Sequence, residues 1–285
     1  MAVTEVMQVA RAVRRVVAAC AGLAVGLASA AALSSCAAAN VVFDRAFRTC
    51  LNEALGQPAD SPVTATQLRH LSSEPNCQNM GITSLEGAQY LTNARTLIVA
   101  QNKISDLTPL AHLSSLQRVF VGNNQIVDLT PLANLKSLIR LDADFNQISD
   151  LTALSGLTHL LTLSVEANQI SDVSALGSLS ALTTLGLDGN HIRDLTPIAE
   201  LPAAHASDPL GFTAGSQSLT EFAVLYTPQP LPSVVGFEPV TWTVLRGAAT
   251  IIGDMITYQT PGTVVLAFNN TSGARFSGVV TVTVT

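Results

Sequence analysis

The chain has 285 residues, a formal net charge of −6, 48% hydrophobic residues and only 12% charged residues. That length allows two domains with a sizeable core. There is no basic excess, which argues against a nucleic-acid partner.

The first residues read as a leader rather than as fold. Arg11, Arg14 and Arg15 form a positive region, the stretch from Val16 to Leu33 is apolar and alanine-rich, and Leu33-Ser34-Ser35-Cys36 closes it. Those four residues resemble the bacterial lipobox. Residues 1–35 are therefore expected to be a signal peptide, and Cys36 the lipid-bearing first residue of the mature chain. Two other readings stay open. One is ordinary cleavage near Ala37-Ala38-Ala39. The other is an uncleaved anchor helix, since about 20 apolar residues span a bilayer. Ala37 after the cysteine points to the outer membrane, on its periplasmic or surface side; secretion is the alternative.

Residues 36–80 are predicted to hold the lipidated N-terminus and a helical cap. Asp44 followed by Phe47, Leu51 and Leu55 has helical spacing, and Gly56-Gln57-Pro58 stops it. Val63, Leu68 and Leu71 mark a second short element with Thr64 or Thr66 as its cap. Cys20 lies in the leader, so only Cys50 and Cys77 remain in the folded part. In an oxidising compartment they are expected to pair, the alternative being two free buried thiols. A structural metal needs about four ligands, and nothing accompanies these two.

Residues 81–205 are organised by a period. Asn102, Asn124, Asn146, Asn168 and Asn190 are each 22 residues apart, with an isoleucine two residues after each and an aspartate two further on. Before each asparagine runs L-x-x-L-x-L-x-x-N with mild substitutions, which marks a leucine-rich repeat array. In Leu141-Asp142-Ala143 the outer residues are apolar and the middle one polar, so each copy supplies a short strand with one buried face. Stacked copies make a parallel sheet over one core. A column of asparagine amides, which both donate and accept, is expected to satisfy the backbone where the chain leaves each strand. Thr108 and Pro109 read as the N-cap and first residue of a short helix or 3₁₀ turn, so the convex side is thin.

The repeat N-x-I-x-D-L-x-P-L, following a helical cap that leads into Gly81-Ile82-Thr83-Ser84-Leu85-Glu86-Gly87, resembles the internalin-like bacterial leucine-rich repeat proteins over roughly residues 40–201. The resemblance implies a concave sheet that binds partner proteins and a small immunoglobulin-like domain after the repeats. Residues 206–216 read as a linker or a decayed last copy. Residues 217–285 read as an all-β immunoglobulin-like sandwich, with short runs at Val240–Val244, Thr250–Ile252, Ile256–Tyr258, Val264–Phe268 and Val280–Val284 separated by turn residues. Trp242 falls in mid-strand and is expected in the core.

No nucleophile–base pair or metal cluster is visible, so an enzyme is not expected and no cofactor is called for. Asp106 to Asp194 form a column, read as bonding their own turns rather than as a calcium ladder. The expected function is that of a cell-envelope lipoprotein that binds a protein, or a glycan, through its concave face as a monomer. The alternative is an envelope spacer without a specific ligand. Side-chain alternation sends Ile98, Phe120 and Asp142 outward in one row and Thr96, Arg118 and Arg140 in the next. Ile98, Arg118, Phe120, Arg140, Asp142 and Phe145 are therefore the predicted partner-binding residues, because aromatic and arginine residues dominate interface hot spots.

Overall fold

The computed structural model describes residues 39–71, 73–202, 212–223, 229–230, 232, 240–252, 255–270 and 276–284. The predicted signal peptide and Cys36 lie outside these residues.

Helix α1 (Arg45–Ala54) starts because Asp44 accepts the Phe47 N–H, and it buries Phe47, Cys50 and Leu51. After it, the amide of buried Asn52 donates to the Ala59 and Ser61 carbonyls and fastens the returning loop. Helix α2 (Ala65–Arg69) opens on a capping box between Thr64 and Gln67, which decides between the two threonines. Val42, Phe47, Leu51, Val63 and Leu68 join the same core as the repeat leucines, so the cap covers an end that would otherwise expose its core. A disulfide joins Cys50 to Cys77, with Cα atoms 5.5 Å apart. The second carboxylate oxygen of Asp44 accepts from the Thr83 N–H and hydroxyl and from the Ser84 N–H, which pins the helix to the first repeat.

Five three-residue strands follow: β1 (Thr96–Ile98), β2 (Arg118–Phe120), β3 (Arg140–Asp142), β4 (Thr162–Ser164) and β5 (Thr184–Gly186). They pair in parallel at the register of the period, with Leu97 beside Val119 and Val119 beside Leu141. The asparagine column works as expected. Asn146 donates to the Val121 and Ala143 carbonyls and accepts the Ile126 N–H, and the other asparagines repeat the pattern. The opposite side of each coil is a 3₁₀ turn such as Thr108–Leu110. Here the sequence expectation needs correcting: Thr108 is not the N-cap but the first residue of the turn, and Leu107 stands at the cap. Asp106 does the capping work instead by accepting the Thr108 N–H, and Asp128, Asp150, Asp172 and Asp194 do the same in their copies. The aspartate column is thus a set of Asx turns.

Strand β6 (Phe212–Ala223) pairs in parallel with β5, Leu185 beside Phe212 and Gly186 beside Thr213. It begins inside the stretch read as linker, because the open edge of β5 offers backbone partners there. Gln217 then takes the place of the next asparagine: it donates to the Leu187 and Ala214 carbonyls and accepts the Ile192 N–H. The decayed-copy reading of this stretch describes it better than the linker reading. The far side of β6 pairs with β12 (Phe276–Val284), which leads on to β11 (Gly262–Asn270) and β8 (Val240–Arg246), so one sheet of nine strands runs from β1 to β8. A second sheet holds β7 (Gln229–Pro230), β10 (Met255–Tyr258) and β9 (Ala249–Ile252). Ile256 and Tyr258 from the smaller sheet and Val264, Leu266 and Phe268 from the larger are buried in the core, giving a small β domain. Trp242 packs against Phe268 at 5.4 Å but is only half-buried.

Candidate partner-binding face

The outer face of the parallel sheet follows from strand alternation. Val119 and Leu141 are buried, while Phe120 and Asp142 are half-buried on the other side. The register sets Ile98, Phe120 and Asp142 side by side, strands being about 4.8 Å apart.

A hollow of about 360 Å³ opens on this face. Ile98, Phe120, Asp142 and Phe145, all singled out from the sequence, line it. The two arginines behave differently. Arg140 places its guanidinium over the Phe120 ring, 5.1 Å from the centroid. Arg118 turns away from the hollow: its guanidinium bonds Glu74 and the Thr96 hydroxyl, and Thr96 in turn donates to Glu74. Thr96, expected to point outward into solvent, is buried beneath this group. Arg118 therefore ties the cap segment to the sheet, and Glu74 already compensates its charge.

Phe145 sits where the chain turns out of the strand. Its φ is +52°, and the equivalent residues Asn79, Gln101, Asn123 and Ala167 are also left-handed, as is Gly189. Each copy thus places a left-handed residue directly before its ladder residue. That conformation disfavours a bulky side chain, yet Phe145 occupies it and is 57% exposed. The ring is presented to solvent rather than packed inward.

Several lining residues were not legible as site residues. Asn76 and Gln78 come from the cap segment, outside the period, and reach the hollow because that segment runs alongside β1. Gly122 keeps the floor open, since a Cβ there would stand 2.9 Å from an Asp142 carboxylate oxygen. Asp144 accepts from the Ser164 hydroxyl and the Glu166 N–H. Burial pushes its carboxyl above the usual range despite these bonds, and the charges of Asp142 and Asp188 push the same way. Beside the face, Ile139 and Leu161 are exposed at equivalent positions in adjacent copies.

Among the described residues no group of three or more His, Cys, Asp or Glu side chains could hold a metal ion, and no helix is long and apolar enough to cross a membrane.

A family model described as leucine-rich repeats in two copies matches residues 92–134 and 136–178. No curated protein sequence matches the chain. Among solved structures, internalin C2 of Listeria monocytogenes is 30% identical, with alignment covering 61% of this chain and 84% of that one, at a TM-score of 0.46. The chain belongs to the internalin-like leucine-rich repeat proteins. A second Listeria monocytogenes internalin, InlF, is 25% identical over 56% of this internalin-like chain and 55% of its own, at a TM-score of 0.47. The kinship rests on shared repeat sequence, not on whole-chain superposition.

Proposed function

We propose that this internalin-like protein is a protein-binding module of the cell envelope, and that its binding face is the outer, concave face of the repeat sheet around Ile98, Phe120, Phe145, Arg140 and Asp142. One observation carries the reading: Phe145, exposed and held in an unfavourable backbone conformation, lines the same hollow as Ile98 and Phe120. Exposed aromatic side chains beside an arginine are the usual anchors of protein interfaces. Arg118 contributes at the rim, through the cap segment it holds. In this reading Cys36, at the end of the leader, carries the lipid that fixes the module to the outer membrane, and the repeats present a monomeric face to a partner.

Capture of envelope or host-surface proteins by the purified protein, followed by the double substitution Phe120→Ala with Arg140→Ala, tests the face. The variant is expected to keep its melting temperature and to lose the captured partner. Undiminished affinity would place the binding face elsewhere, and a failure to capture any partner at all would favour the spacer. Fatty-acid labelling that survives Cys36→Ser would remove the anchor from the proposal.

A further inference from the structure

The hollow is not neutral. Its apolar walls are Ile98, Phe120 and Phe145, and its floor opens at Gly122 onto the carboxylates of Asp142 and Asp144. Further along the sheet, Glu166 and Asp188 repeat the position of Asp144, one copy and two copies on. Against these four carboxylates stand the guanidiniums of Arg118 and Arg140. The first is engaged by Glu74, and the second lies over the Phe120 ring. The face that would meet a partner is therefore acidic at the open end of the aromatic hollow.

Resting on the binding face proposed above, we infer that the hollow receives a lysine or arginine side chain of the partner protein. A long basic side chain has an apolar stem and a charged head. The stem lies between the Phe120 and Phe145 rings, and the head meets Asp142 and Asp144. A cation near an aromatic face is attracted by the ring as well as by the carboxylates, and the resident Arg140 on Phe120 shows that this ring accepts a guanidinium. An acidic partner residue meets the opposite situation, with repulsion from the same carboxylates, so the face selects as well as attracts. A glycan lacks the cation that this arrangement calls for.

The test is a titration followed by the ring resonances of Phe120 and Phe145, using four blocked amino acids as probes: the N-acetyl methylamides of lysine, arginine, norleucine and glutamate. Lysine and arginine should shift both rings at about tenfold lower concentration than norleucine, an advantage of about 1.4 kcal/mol, and glutamate should not shift them. In the variant Asp142→Asn with Asp144→Asn, the basic probes should fall to the level of norleucine. Asp142→Asn alone, which leaves the Asp144 bonds to Ser164 and Glu166 in place, should lose part of the advantage. If norleucine matches the basic probes in the wild type, the hollow takes an apolar residue; this inference then fails while the proposed binding face stands. Preference for glutamate, or no shift by any probe, also overturns it, and the capture experiment still decides the face independently.

Discussion

Replacing Phe145 by asparagine separates a residue kept for the fold from one kept for a partner. The left-handed conformation at φ +52° costs an ordinary side chain about 1 kcal/mol or more. Asparagine tolerates it better, as Asn79 and Asn123 do at the equivalent positions. Against this relief stands the loss of ring packing. Full burial of a phenylalanine contributes about 1.5–3 kcal/mol, but this ring is 57% exposed, so the loss is about 1 kcal/mol. The two terms nearly cancel, and urea unfolding should place Phe145→Asn within about 1 kcal/mol of the wild type. Affinity for a captured partner should fall by about 2 kcal/mol, roughly 30-fold. A stability loss well above about 2 kcal/mol would show that the ring is a packing residue and refute the reasoning from exposure and strain.

Asn146→Ala should be far more costly, by about 3 kcal/mol or more, because it strands the buried Ile126 N–H together with the Val121 and Ala143 carbonyls; urea unfolding measures it. Cys50→Ser opens a loop spanning 27 residues of sequence separation, worth about 3.5 kcal/mol in the chain-entropy model. Hydrogen exchange should rise in the cap and first repeat before the middle of the array, and uniform loosening would contradict nearest-neighbour coupling. The pH dependence has two signs. Burial pushes the Asp44 carboxyl up, but the N–H groups of Phe47, Thr83 and Ser84 and the Thr83 hydroxyl outweigh it and hold the carboxyl below its ordinary value. Its contribution is therefore present above the unfolded value of about 3.9 and lost as pH falls through the lower folded value. The Asp144 carboxyl is raised, mainly by burial, so its ionisation weakens the fold as pH climbs past about 3.9 into and through its higher folded value. Asp144→Asn should accordingly raise the melting temperature at pH 7 and lose that advantage in acid, whereas Asp44→Asn should lower it at pH 7; a scan of melting temperature against pH checks both.

The period alone placed Ile98, Phe120 and Asp142 in one row, because a fixed repeat length fixes the register of stacked strands. It could not separate Arg118 from Arg140. The two share a column, yet Arg118 turns to Glu74, and Glu74 sits in the cap segment where no period fixes its position. Phe145 was legible as a position but not as a direction, since the backbone sign before the ladder residue is set by the turn rather than by strand alternation. Strand β6 was hidden because Gly215 and Ser216 interrupt its pattern and because its partner, β5, belongs to the repeats. Gln217 was hidden by arithmetic: it follows Asn190 by 27 residues where every earlier rung follows by 22.

The glutamine rung has a consequence for how such a chain can change length. Gln217 contacts backbone only as far back as Leu187 and Ile192, and Asp44 reaches forward only to Ser84. The copies between them bond to their neighbours through identical asparagine geometry, so none carries information about either end. Removing or duplicating a block of 22 residues there leaves both closures intact and shifts every outward row by one strand. The array is in this sense a ruler with fixed end-stops: its span is set by counting, while the face it displays depends on which copies are counted in.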